Sequence, residues 1–195
     1  MQKFIAEPSF WEILPEASIG IMVVRAMKTA DEVSSEDKAA IASILNEANA
    51  TANQHLTSNT ISENEGVAVW RRAYQLFKTK KGARCSIENL LKRVLKGNPV
   101  GSITPSVDIY NAISLKYTLP VGGENIDAFV GDFHLGIEEE GGKSFLPIGE
   151  EENAPHPARR ALLLRRRRSR MSMLQLARWA AHRAHRRFPQ RNSRD

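Results

Sequence analysis

The sequence predicts one mixed α/β domain, and three observations carry that reading. Residues 34–119 are dominated by apolar positions at helical spacing, an apolar β-branched stretch precedes them at 18–26, and strand-like stretches follow between 132 and 149. With 195 residues, 42% apolar and 26% charged, the chain can bury one sizeable core. Neither an internal repeat nor a low-complexity segment appears before residue 154.

Taken in order, "SIGIMVVRA" (18–26) reads as a buried strand, because it is apolar and β-branched. Ser34, with Asp37 three residues on, resembles a capping box and opens a helix to about Leu56, with Ile41, Ile44, Leu45 and Ala48 on one face. "TSNTISENEG" is a loop. A second helix starts near Glu65 and repeats Val67, Trp70, Ala73, Tyr74 and Phe77. A third spans Ser86 to Lys96, with Ile87, Leu90, Leu91, Val94 and Leu95 as its stripe and Gly97 and Pro99 as its stop.

Thr104 and Pro105 then supply a cap and a first-turn proline for "PSVDIYNAISLKYTL", which is apolar nearly all round and reads as a buried helix. Asp108, Asn111 and Ser114 form one polar stripe along it. "PVGGEN" is a turn, and "DFHLGIEE" and "KSFLPIG" are strands.

Charge divides the chain. From Ala154 onward there are 13 Arg, no Lys and one acid, a net +12; the remainder holds 15 basic and 21 acidic residues, a net −6. The overall +6 therefore belongs to the last 42 residues. On the acidic body, Arg71, Arg72, Lys80, Lys81 and Arg84 make the intrinsic basic cluster. Such a cluster is either a solvated face or a contact for nucleic-acid phosphates.

Other classes find little support. The single Cys85 allows no internal disulfide, as in a reducing cytoplasm, and with no His near it in sequence it reads as a small core residue. No apolar run approaches the roughly 20 residues of a membrane helix. Acids and prolines interrupt "MQKFIAEPSFWEILPEAS", so no secretory leader is expected and a cytoplasmic location is. His55, His182 and His185 lack ligand spacing, and phosphate-loop, dinucleotide and nucleophile-elbow motifs are absent; neither a metal nor a cofactor is expected.

The segment "VDIYNAISLKYTLPVGGENID" resembles the B3/4 domain of bacterial phenylalanyl-tRNA synthetase β subunits, keeping its Val-Asp, its Asn and its Pro at matching spacing. The upstream "VWRRAYQLFKTKKGARCSIENLLKRVLKG" resembles the free-standing branch of that family. The resemblance implies a B3/4-like domain over residues 1–157 and tRNA or aminoacyl-tRNA as partner. It also implies hydrolysis of mischarged aminoacyl-tRNA, or else non-catalytic binding of RNA or an amino acid; a third reading is that this chain, truncated at its C-terminal end, is an inactive product. It places Asn111 at the family's editing-site Asn and Gly122 at its His, with Ser114 and Gly123 beside them as substrate-binding candidates. The family's essential Glu would come from a strand beyond residue 157.

Residues 158–195 depart from that pattern. Shifting their codons forward by one base forces Cys from Met171-Ser172, Cys from Met173-Leu174 and Gly from Trp179-Ala180. With free third bases the stretch reads C-R-C-C-N-W-R-D-G-Q-R-T, against C-R-C-W-N-W-R-D-G-Q-R in free-standing members. The Arg-rich tail is therefore expected to be an out-of-frame, poorly ordered segment rather than an evolved RNA-binding arm.

Overall fold

The computed structural model describes residues 2–76, 83–128, 130–138, 144–145, 154–155, 160–166 and 171–175. In chain order the elements are β1 (Phe4–Ala6), α1 (Pro8–Ile13), α2 (Ser35–Thr51), α3 (Glu65–Gln75), α4 (Ser86–Leu95), α5 (Pro105–Tyr117), β2 (Val130–Glu138), β3 (Ser144–Phe145), β4 (Ala154–Pro155), β5 (Arg160–Arg166) and β6 (Met171–Gln175). Helices and a small sheet in one chain make this an α/β fold.

Helices α2 to α5 enclose the larger core, in which Leu45, Ala52, Val67, Ile87, Leu91, Ala112 and Leu115 are buried with Trp70 and Cys85. Ser34 caps α2 as its sequence predicts, its Oγ accepting from the Asp37 N–H at 3.0 Å. The helix gives way to a 3-10 turn at Ala52–His55. Ile44, expected on the buried face with Leu45 and Ala48, is half exposed. At the end of α4, Gly97 takes φ 70° and the Gly97 and Asn98 N–H groups return to the Val94 and Arg93 carbonyls. That is the left-handed stop that glycine makes cheaply.

Buried amides and acids tie the helices together. Asn49 donates to the Leu45 and Val100 carbonyls at 3.0 Å and accepts from the Val100 N–H at 2.8 Å. Asn64, with no exposed surface, folds the "TSNTISENEG" loop around itself through Ser58, Thr60 and Ile61. Thr104 stands at the cap of α5 without a side-chain cap bond. Asp108 organises that end instead, accepting from the Ile103 N–H at 2.8 Å and from Ser102 Oγ. Gly66 is required where α3 meets the end of α5, because a Cβ there would lie 2.1 Å from Thr118 Cγ2.

The sheet runs in the order β1-β2-β5-β6, with β1 parallel to β2 and the other pairs antiparallel. Phe4 stands beside Phe133 and Ala6 beside Leu135. Phe10 of α1 closes over Phe133 and Leu135 in a second, smaller core. Ser9 Oγ accepts from the Ile137 N–H at 3.0 Å, and a Cβ at Gly136 would press on Glu7 and Ser9 at 3.0–3.2 Å. The predicted strand at 132–139 is β2; of "KSFLPIG", Ser144–Phe145 form β3, paired with β4. Strands β5 and β6 are drawn from the chain after residue 157.

Two expectations are corrected. Residues 18–26 form no strand: Ile21, Met22, Val23 and Val24 are 50–81% exposed. Among the described residues none of 18–27 makes a hydrogen bond. A strand's backbone groups need a neighbour's, and none is alongside. Helix α5 is also not buried all round, because Ile109, Ile113 and Tyr117 face solvent while Asp108, Ala112, Ser114 and Leu115 face the core. The polar stripe thus points inward at two of its three positions.

Candidate functional site

Helix α5 and the turn after it carry the predicted substrate residues. Thr118 adopts φ 55° and ends the helix, and the Leu119 N–H bonds back to the Ser114 carbonyl at 3.2 Å. Ser114 is fully buried and its Oγ accepts from the Val121 N–H at 3.2 Å. The hydroxyl therefore holds the start of the Gly122-Gly123 turn against the helix. Gly123 lies over the Tyr110 ring, where a Cβ would be 3.8 Å from Cδ1. Ser114 thus fixes the start of the turn to α5, and Tyr110 lies near its second glycine.

Asn111 lies between them along the helix and is only partly buried. Among the described residues its carboxamide has no hydrogen-bond partner. Asp108 and Ser114, its neighbours in the polar stripe, are both committed, Asp108 to the Ile103 N–H and the Ser102 hydroxyl and Ser114 to the Val121 N–H. An amide offers two donors and an acceptor, so Asn111 is the member of the stripe available to a ligand.

The basic candidates separate. Arg71 meets Glu88 through Nε at 3.2 Å and Nη2 at 2.7 Å, and Arg84 Nε lies 3.0 Å from Glu88 Oε1. The hydrogen bond to Glu88 raises the Arg71 pKa above its already high value. Arg72 is exposed and free of ion pairs among the described residues. Lys80 and Lys81, like Phe77 of the predicted helix stripe, lie outside the described residues. Glu88, the partner of both arginines, is the residue that sequence reasoning missed. Its signal was there: an acid four residues after Arg84, next to the buried Ile87 and three before Leu91.

The remaining reactive groups are muted. Burial pushes the Cys85 thiol up to about 11, so it is protonated and unreactive at neutral pH. Burial raises the Tyr74 phenol as well. His134 Nδ1 is 2.6 Å from Glu7 Oε1, joining β2 to the chain ahead of α1. Among the described residues no group of three or more His, Cys, Asp or Glu could hold a metal ion, and no helix is long and apolar enough to cross a membrane.

The helix-dominated α/β domain thus presents the Asn111 carboxamide on α5, the glycine turn that follows it, and basic residues on α3 and just ahead of α4. The family model for the B3/4 domain matches residues 69–174, just over half of the chain, and so takes in α4, α5, the turn, β2 and β5. The chain belongs to the B3/4 domain family. No curated protein and no solved structure matches it.

Proposed function

We propose that the chain is a cytoplasmic tRNA-binding domain that, with residues 158–195 restored to the shifted frame, hydrolyses mischarged aminoacyl-tRNA in trans. The observation that carries this reading is Asn111, whose carboxamide is left open while both other polar residues of its stripe are committed to structure. Membership of the B3/4 family supports tRNA as the partner.

In the reaction, water adds to the acyl carbon, the bond from that carbon to the ribose oxygen breaks, and the water's proton passes to that oxygen. Asn111 Nδ2 would donate to the ester or ribose end and Oδ1 would accept from the amino group. The Gly122-Gly123 turn, braced by Ser114, would leave room for the amino acid and offer backbone N–H groups.

A second reading, a non-catalytic module for RNA or an amino acid, is favoured by Gly122 itself. It offers no side-chain base where the resemblance expects a His. Release of amino acid from Tyr-, Ser- and Thr-charged tRNAs separates the two. Turnover that Asn111→Ala abolishes supports hydrolysis through this site. Saturable tRNA binding without turnover, also in a form with residues 158–195 restored to the shifted frame, selects the binding module. Sequencing the gene across codons 150–160 tests the frame directly.

A further inference from the structure

Glu88 is 2% exposed yet holds two guanidinium groups at once. Each guanidinium has five N–H donors in a fixed plane. Arg71 uses Nε and Nη2 on the carboxylate. Arg84 pairs with Glu88 by charge, its Nε 3.0 Å from Oε1, and donates Nη1 to the Ala83 carbonyl at 2.8 Å. Among the described residues that leaves Nη1 of Arg71 and Nη2 of Arg84 uncommitted, on side chains that are 36% and 42% exposed. Two cations on one anion keep a net positive charge, held on planes that cannot turn freely. The exposed Arg72 adds a cation on the same helix as Arg71.

A buried acid that served only to join α3 to α4 would need one arginine. Here two converge, and both keep donors toward solvent. Arginine planes of this kind suit the oxygens of a phosphate, and fixing them in advance removes part of the ordering cost of binding.

We propose that Arg71 and Arg84 form an anion site for a backbone phosphate of RNA, with Glu88 as its positioning residue. The proposal rests on the tRNA-binding reading above. It predicts a sign that net charge alone does not. Glu88→Gln makes the protein more positive, so simple attraction would strengthen RNA binding; loss of the positioned planes weakens it.

The test uses the full chain and follows the arginine Nε–Hε signals by NMR, assigned by their disappearance in Arg71→Lys and Arg84→Lys. Reading each residue separately keeps the arginines after residue 157 from obscuring the result. Inorganic phosphate and unfractionated tRNA are the two probes. Saturable shifts of both signals with each probe are expected, and Glu88→Gln should weaken phosphate binding at these residues roughly fivefold, as for loss of a charge-assisted bidentate pair. Equal or tighter phosphate binding by Glu88→Gln overturns the proposal. Should Glu88→Gln fail to fold by circular dichroism, Arg71→Lys, which keeps the charge but not the plane, should weaken phosphate binding at Arg84 roughly threefold; an unchanged value overturns it. Shifts with phosphate but not with tRNA overturn the RNA assignment. Binding of tRNA that leaves both signals unmoved overturns this site and leaves the tRNA-binding reading standing.

Discussion

The helical half of the molecule and the stretch at 18–27 are both apolar in sequence, and the fold treats them in opposite ways. Around Leu45, Leu91 and Leu115 the apolar surface is enclosed, and the buried Asn49, Asn64, Glu88 and Asp108 all hold partners. At 18–27 the side chains of Ile21, Met22, Val23, Val24 and Met27 are half exposed or more, and no hydrogen bond forms among the described residues. Ala26 there takes φ 53°, a conformation that alanine adopts at a cost. The difference lies in the backbone. A helix satisfies its own N–H and C=O groups and needs only a face to bury, whereas a strand depends on a neighbour for both.

The contrast is most sharply tested in the larger core. Leu91→Ala removes a fully buried side chain and should cost about 3–5 kcal/mol, read by chemical denaturation. A loss below about 1 kcal/mol would mean that this core is as loosely held as 18–27.

Asn49→Ala should cost about 2–3 kcal/mol, because it strands the Val100 N–H and carbonyl in a buried setting. A cost no greater than that of an exposed amide would remove the argument that buried polar partners define this half.

Alkaline pH probes the same region. The folded Cys85 thiol titrates near 11 against 9.0 for the free group, and the Tyr74 phenol is raised as well. Both protonated forms are favoured by folding: the Cys85 contribution is complete below about pH 9 and is lost as pH rises through 11, while that of Tyr74 is complete below about pH 10 and is lost only at higher pH. Stability should fall over that window, and Cys85→Ala should flatten part of the fall. Native Cys85 should also resist thiol reagents at neutral pH.

Ser34→Ala should cost about 1 kcal/mol through loss of the α2 cap, measured as a lowered unfolding midpoint. Smallest of all, Ile21→Lys or Val23→Lys should alter stability by no more than about 0.5 kcal/mol, since neither side chain is enclosed. The same changes should reduce self-association in light scattering, because exposed apolar strand-like segments pair with copies of themselves. A loss comparable to Leu91→Ala would place 18–27 in a core after all.

The candidate site was legible to different depths. Asn111 stood out through its place in the polar stripe and the family resemblance, and the turn at Gly122-Gly123 through its glycines. That Ser114 braces the turn while Asn111 stays open was not legible, because helical spacing gives three polar residues the same face without saying which will meet a backbone N–H. Arg71 and Arg84 were legible as charge; that both converge on Glu88 was not, since residues 71 and 88 meet only when α3 packs on α4.

By itself the sequence determined the α/β class, the Ser34 cap, the Gly97 stop, the apolar stripes of α3 and α4, and a strand at 132–139, which the fold runs from Val130 to Glu138. Those features are settled within a few residues of chain, by spacing, by caps and by which residues tolerate a left-handed turn. Tertiary structure alone decided that α5 turns its isoleucines to solvent and its Asp108 and Ser114 inward, that Asn49 reaches Val100, and that 20–27 is left outside while Ile19 packs on the smaller core. Each of these depends on which distant backbone or side chain arrives alongside, and a pattern of apolar positions states a need for burial without naming what will meet it.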